Sequence, residues 1–339
     1  MPKYTLKDFK SDQEIRWCPG CGDYSVLAAL QRTLPLVCEE KGIDKEKIVV
    51  VSGIGCSSRL PYYVDTYGFH SIHGRATAVA TGMKVANPEL CIWQVSGDGD
   101  ALAIGGNHFI HAIRRNIDIN LMLFNNRIYG MTKGQYSPTS KLGTVTKTSP
   151  YGTVEHPFNP GSLVLGAKGT FFARGMDTEL ALNQEIMLAA SRHKGTSVME
   201  FLTNCVSFNN GSHAEISDRE HKADRTLILR DGEKMIFGKN RDKGIALDGW
   251  KLKVVTIGED GVTEDDVLTH DSHSDNLGLQ MMIADMKWPE FPVALGVIRE
   301  VSDITYDEEV AKQVEQVTSK ARIHSVDELL HSGSTWELE

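Results

Sequence analysis

Four short apolar runs separated by helical stretches constrain this chain more than any other feature. They span residues 47–51, 91–95, 119–124 and 196–202. Runs of this length, apolar at nearly every position, belong to strands buried on both faces. Residues 23–38 carry Val26, Leu27, Leu30 and Leu34 at helical spacing, with Asp23 as the expected cap. Residues 73–86, rich in small side chains, read as a closely packed helix ended by Asn87-Pro88. Residues 104–115 and 178–192 read as two more helices. The alternation predicts an α/β fold, a mostly parallel sheet flanked by helices. Ligands of such sheets sit at the carboxyl ends of the strands.

The polar residues fall where that rule puts a site. Gly97-Asp98-Gly99-Asp100 follows the second run, and Asn125-Asn126-Arg127-Ile128 follows the third. Asp98 offers a carboxylate, Asn126 an amide oxygen and Ile128 a backbone carbonyl. Hard oxygen ligands of this kind suit Mg²⁺, which keeps other positions for phosphate oxygens. The glycines let backbone approach a diphosphate closely. Gly55-Cys56 follows the first run and Asn204-Cys205 the fourth. Cys56, Asp98, Asn126 and Cys205 thus lie beyond four different strands. The Gly-Asp-Gly and Asn-Asn pair at this spacing resembles the fingerprint of thiamine-diphosphate proteins. The plainer alternative is two ordinary turns.

A chain of 339 residues can bury a large core. Its net charge of −9 argues against nucleic acid or an anionic membrane as partner. No apolar run reaches the roughly 18 residues a membrane span needs, and the N-terminal segment has no apolar signal region. A cytoplasmic protein is expected. In that setting the cysteines are not expected to form disulfides. Cys38 and Cys91 read as small core residues. Cys18 and Cys21 form a Cys-x-x-Cys turn, and Cys56 and Cys205 bring the thiols in loop-like stretches to four. Structural zinc, a redox dithiol and an iron–sulfur cluster all remain open on spacing alone. Zinc sites usually show two close pairs. A redox pair needs a preceding strand. A cluster accepts dispersed ligands.

Residues 128–160 form a long Gly, Thr, Ser and Pro-rich stretch, as functional loops do. After residue 210 the character changes. Residues 214–238 are charged, 259–275 acidic with His270 and His273, and 289–301 partly apolar. The histidines could ligate a metal, although an acidic solvated loop is the simpler reading. Residues 1–210 are therefore expected to form the cofactor domain. Residues 211–339 are expected to form an extension packed on it or on a partner.

Taken together, these motifs resemble the β subunits of the 2-oxoacid:ferredoxin oxidoreductases. The resemblance rests on Trp17-Cys18-Pro19-Gly20-Cys21-Gly22-Asp23, on 53–59 (Gly-Ile-Gly-Cys-Ser-Ser-Arg), on His73-Gly74-Arg75 and on 96–100. It continues through 105–116 and 125–135 and covers about residues 12–210. The Trp-Cys-Pro-Gly-Cys-Gly-Asp form is most similar to the 2-oxoglutarate branch. The resemblance implies thiamine diphosphate, Mg²⁺ and a [4Fe–4S] cluster. It assigns the cluster to Cys18, Cys21, Cys56 and Cys205, and Mg²⁺ to Asp98, Asn126 and the Ile128 carbonyl. Gly55, Cys56, His73, Gly97, Gly99 and Asp100 would border the cofactor. His73 and Arg75 would meet the diphosphate or substrate, and Arg59 and Lys133 the substrate or coenzyme A. The implied reaction is CoA-dependent oxidative decarboxylation of 2-oxoglutarate to succinyl-CoA, reversible, with electrons passed to ferredoxin.

Thiamine enzymes also need a carboxylate against the aminopyrimidine, and no glutamate of this chain stands in a recognisable motif. In the resembling family it comes from an α subunit. The resemblance therefore implies an (αβ)2 assembly in which β alone is inactive. Competing readings are the same chemistry on pyruvate or branched-chain 2-oxoacids, a thiamine-diphosphate decarboxylase lacking a cluster, and a non-catalytic iron–sulfur carrier.

Overall fold

The computed structural model describes residues 3–336 and residue 338. Residues 1, 2, 337 and 339, the extreme ends of the two expected regions, lie outside the described residues. Eight strands form one sheet in the order β2-β1-β3-β4-β6-β5-β11-β7. They are β1 (Ile48–Ser52), β2 (Tyr67–His70), β3 (Cys91–Gly97), β4 (Asn120–Asn125), β5 (Phe171–Met176), β6 (Ser197–Leu202), β7 (Thr226–Ile228) and β11 (Val293–Glu300). Every neighbouring pair is parallel except β11 with β5. A three-stranded antiparallel sheet carries β8 (Ile236–Phe237), β9 (Lys243–Asp248) and β10 (Lys251–Thr256).

The central strands are buried along their whole length. Alternate residues feed two cores, because successive side chains of a strand point to opposite faces. Met122 and Phe124 of β4 join Met199 and Phe201 of β6 on one face. Leu121, Leu123 and Val198 lie on the other. Helix α1 (Asp23–Lys41) and later helix Leu180–Arg192 cover the first face. Helix α2 (Ala76–Ala86) lies beneath β1 on the second.

Four helix starts differ from the sequence expectation, the first two for a tertiary reason, and the one expected at 178 falls at Leu180. Gly22, not Asp23, is the cap of α1. A Cβ at Gly22 would strike the Asp177 carboxylate and the Asn204 amide. The helix start is thus pressed against the end of β6, and Asp23 is buried inside it at 1% exposure. The second helix begins at Ala76 rather than 73, because Gly74 adopts φ 70 and its N–H goes to Asp100. The third begins at Gly106 rather than 104. Asp98 does not stand in a simple turn but opens the short helix α3 (Asp98–Leu102).

β5 and β11 are poorly announced in the sequence. β5 carries Arg174 in its middle, which interrupts the apolar pattern. The arginine is tolerated because Glu200 of β6 meets it at 2.7 Å within the core. β7 and β11 lie beyond residue 210 and yet complete the main sheet.

Candidate active site

Strands β1, β3, β4 and β6 are neighbours, so their carboxyl ends make one continuous edge. A cleft of about 530 Å³ opens there. Its wall contains Gly55, Cys56, His73, Gly97, Asp98, Gly99, Asp100, Asn126 and Ile128. The structure therefore unites the oxygen-bearing residues, the glycines and the histidine singled out above.

Asp98 is 2% exposed. Its Oδ2 accepts from Ser137 Oγ at 2.5 Å and from Thr139 Oγ1. Burial pushes the carboxyl up to about 6, and the two hydroxyls oppose that rise. A cation on the remaining oxygen would restore the ionised form. Asn126 Oδ1 accepts from the Ile128 amide at 3.1 Å and retains a second lone pair. Arg127 between them adopts φ 57, which folds the segment into a tight turn.

The glycines serve different purposes. A Cβ at Gly99 would collide with the ring of Tyr129, whose hydroxyl donates to the Gly99 carbonyl at 2.8 Å. Gly99 therefore accommodates the protein's own packing. Gly55 (φ 138) faces open space, and a Cβ at Gly97 would make only ordinary contacts. Those two leave the room a close-lying diphosphate needs.

Asp100 lines the cleft and also braces its loops. Its Oδ1 accepts from the amides of Ile54 and Gly74 at 3.1 and 2.7 Å, and lies 2.8 Å from His73 Nδ1. It braces the loops after β1 and β2 and leaves His73 Nε2 for a ligand.

The four loop cysteines converge beside this cleft. A Cβ at Gly130 would meet Cys205 Sγ at 3.3 Å and Cys56 Sγ at 3.7 Å. Ser207 Oγ donates to Cys18 Sγ at 3.2 Å, and the Cys21 amide donates to the Cys18 carbonyl at 3.0 Å. Trp17 Nε1 donates to the Cys56 carbonyl at 2.7 Å. Burial, reinforced by Asp23, pushes the Cys56 thiol up to about 11, and burial raises Cys21 as well. Cys38 and Cys91 lie elsewhere, both in the core.

The structure does not bring the other three basic candidates to the cleft wall. The Arg75 guanidinium donates to the carbonyls of Gly74 and Ile104. Arg59 lines an adjoining cleft with Tyr62 and His70. Lys133 is exposed in a turn at φ 77. Nor do the histidines of the acidic segment meet: His270 contacts the Val297 carbonyl and His273 that of Glu300. Sequence reasoning missed Tyr129, Ser137 and Thr139. The aperiodic stretch 128–160, which supplies all three, was the available signal.

Residues 53–201 match the family described as thiamine pyrophosphate enzyme, C-terminal TPP binding domain. The chain is 45% identical over 336 residues to the 2-oxoglutarate oxidoreductase subunit KorB of Mycobacterium tuberculosis. That alignment covers 98% of this chain and 88% of the relative. The chain belongs to the 2-oxoacid:ferredoxin oxidoreductases, as a β subunit. It is also 48% identical over 189 residues to the 2-oxoglutarate synthase subunit KorB of Archaeoglobus fulgidus, covering 56% of this chain and 69% of that one. Among solved structures it resembles a 2-oxoglutarate:ferredoxin oxidoreductase from Magnetococcus marinus, solved with 2-oxoglutarate, coenzyme A and succinyl-CoA bound. The TM-score is 0.77, at 32% identity, over 99% of this chain and 98% of that chain. This β subunit is therefore part of an oxidoreductase, and its cleft lies within the thiamine-diphosphate-binding region. Among the described residues no helix is long and apolar enough to cross a membrane.

Proposed function

We propose that this β subunit, with an α subunit, converts 2-oxoglutarate and coenzyme A to succinyl-CoA and CO₂, reversibly. Two electrons leave singly through a [4Fe–4S] cluster to ferredoxin. One observation carries the reading: the oxygen-lined cleft and the four thiols share a wall at Cys56 and Gly130. Decarboxylation and single-electron removal need such adjacency.

Asp98, Asn126 and the Ile128 carbonyl would hold Mg²⁺, and Gly55 and Gly97 would admit the diphosphate. Thiamine diphosphate supplies the nucleophilic carbon and the electron sink for decarboxylation. The chain's own residues orient it. Asp98 would fix the cation, Asp100 holds His73, and His73 Nε2 would meet the diphosphate or the substrate. Arg59, Arg75 and Lys133, outside the cleft wall, would act on the part of the substrate or coenzyme A that projects from it.

Cys18, Cys21, Cys56 and Cys205 would hold the cluster. A single zinc with Zn–S bonds of about 2.3 Å needs sulfurs about 3.8 Å apart. Among the described residues no three of these thiols lie within 4.8 Å of one another. Ligands dispersed over three loops are compatible with the larger group.

The acids of the cleft wall are Asp98 and Asp100, and no glutamate lines it. Asp100 Oδ1 is committed to two amides and His73, and its Oδ2 is buried against Gly53. A carboxylate for the aminopyrimidine would then come from another chain. Tyr62, Ile72, Ile104 and Met131 are exposed near this edge, and Tyr67 and Phe69 on the outer strand β2. A group of exposed apolar side chains marks a protein interface. An obligate interface of roughly 2,000 Å² or more would cover them.

The test is dye reduction by the oxygen-free αβ complex supplied with coenzyme A and either 2-oxoglutarate or pyruvate. Faster turnover with 2-oxoglutarate supports the reading, and a preference for pyruvate moves the enzyme to the neighbouring branch. The β chain alone, loaded with cofactor and cluster, is expected to give no 2-oxoacid-dependent reduction. Full turnover by β alone would refute the shared site.

A further inference from the structure

Behind the cleft lies a buried polar chain that the reaction outlined above does not use. Arg174 Nε donates to Glu200 Oε2 at 2.7 Å. Its Nη2 donates to the Ala284 carbonyl at 3.2 Å. The paired carboxylate can only accept, so Glu200 Oε1 takes the Asn125 amide nitrogen at 2.7 Å. That fixes the orientation of Asn125 and turns its Oδ1 towards Thr139 Oγ1, 2.9 Å away. Thr139 Oγ1 also lies against Asp98 Oδ2, so its one proton is shared between these two acceptors. Ser137 Oγ reaches the same oxygen at 2.5 Å. The turn that carries both hydroxyls is itself fixed. The Ser140 amide donates to the Ser137 carbonyl at 3.0 Å, and Ser140 Oγ donates to the Arg127 carbonyl at 2.7 Å.

Arg174, Glu200, Asn125, Thr139, Ser137 and Asp98 are each between 2% and 5% exposed. A buried polar chain contributes less to stability than well-packed apolar side chains of the same volume. Its geometric consequence is specific. Both hydroxyls converge on Oδ2, which pins the plane of the carboxylate and leaves Oδ1 for a cation. Hydrogen-bonded partners behind a metal ligand fix its orientation and raise metal affinity.

We propose that Ser137 and Thr139 are positioning residues for Asp98, and that Asn125, Glu200 and Arg174 hold Thr139 in register. Together they set the affinity of the cleft for Mg²⁺. The proposal rests on the reading of Asp98 as a magnesium ligand. It goes beyond that reading by assigning the affinity to residues on β4, β5, β6 and the 128–160 loop that touch neither metal nor cofactor.

The experiment uses the αβ complex stripped of metal and cofactor by chelation. Retention of thiamine diphosphate is followed by equilibrium dialysis as Mg²⁺ is added back, and Tm is recorded for each variant. Thr139→Val keeps the shape and removes the hydroxyl. It is expected to raise the Mg²⁺ concentration for half-saturation at least tenfold. Thr139→Ser is expected to restore the wild-type requirement, which a loss of packing alone would not allow. Ser137→Ala, which leaves the Thr139 link intact, is expected to shift the requirement in the same direction. It carries the test if Thr139→Val does not fold. Glu200→Gln is expected to produce a smaller shift, since an amide can still accept from Asn125. The control is Asp98→Ala. If it loses thiamine diphosphate while the folded Thr139→Val and Ser137→Ala keep the wild-type Mg²⁺ requirement, the positioning role is wrong and the metal site stands. If Asp98→Ala itself binds cofactor normally, the metal reading fails and the positioning role fails with it.

Discussion

The diphosphate cleft and the thiol pocket share a wall, but they are assembled differently. The cleft takes its polar groups from adjacent residues: Asp98 and Asp100 from one segment, Asn126 and Ile128 from another. Its interior hydrogen bonds are already made. The thiol pocket takes two residues from an N-terminal turn and one each from two distant loops. Burial raises the Cys21 and Cys56 thiols, so a metal bound there would have to displace their protons. The first site is preorganised before it is loaded. The second has its loops tied by Trp17, Ser207 and backbone amides, but its four thiols have still to be joined by the group proposed for them. Local chain turns build the one, and convergence of the whole sheet edge builds the other.

The largest effects should come from removing a group that only one of the two sites uses. Asp98→Ala removes the charged ligand of a hard cation. It is expected to abolish binding of thiamine diphosphate while the iron content stays unchanged. Cys205→Ser is expected to do the reverse: loss of about four iron atoms per chain and of the brown colour, with cofactor binding retained. Cys91→Ser, in the core, should leave both intact. Joint loss of iron and cofactor in either Asp98→Ala or Cys205→Ser would mean the two sites are one cooperative unit. Stoichiometric zinc without iron in protein prepared without oxygen would remove the cluster altogether.

Legibility from sequence follows the same division. The Gly-Asp-Gly-Asp run and the Asn-Asn turn could be read because each is contiguous and each ends an apolar strand. The four core strands could be read for the same reason, being apolar along their length. The partners behind the cleft could not. Thr139 lies 41 positions from Asp98, and Arg174 lies 26 from Glu200. No local periodicity links residues that far apart. Arg174 also concealed its own strand, because a charged residue inside a buried run resembles a break until its partner is known. Asp23 shows the opposite error. An aspartate at a helix start reads as a cap, yet packing of Gly22 against β6 drew it into the interior, where burial pushes its carboxyl up to about 7.

A smaller effect should separate bracing from ligand binding within the cleft. Asp100 and Asp98 are equally buried, but Asp100 spends its accepting oxygen on two amides and His73. Asp100→Ala leaves both amides without a partner, at about 1–3 kcal/mol each. It is expected to lower the denaturant midpoint and loosen His73, with thiamine diphosphate still bound at saturating Mg²⁺. Loss of cofactor as complete as in Asp98→Ala would show that Asp100 also acts on the ligand.

The smallest effect lies far from both sites and shows how acid acts on the scaffold alone. His193 is 8% exposed and follows the helix Leu180–Arg192. Its Nε2 lies 2.9 Å from Thr170 Oγ1, and its ring lies 5.3 Å from that of Phe171. Burial pulls it down to about 4, against the opposing pull of Asp118, the one charged group acting on it. The unfolded chain takes up this proton near pH 6.5, and the folded chain only near 4. Stability is therefore complete above about pH 6.5 and falls as the pH drops towards 4, with no further loss from this group below that. The slope should be on the order of 1 kcal/mol per pH unit. His193→Gln keeps a neutral polar group at the position and removes the titration. Comparing the Tm of the two proteins at pH 7 and pH 4.5 isolates the term, since every other carboxylate and imidazole is common to both. The wild type should lose more on acidification than the variant. Equal losses would mean that His193 carries none of the acid sensitivity.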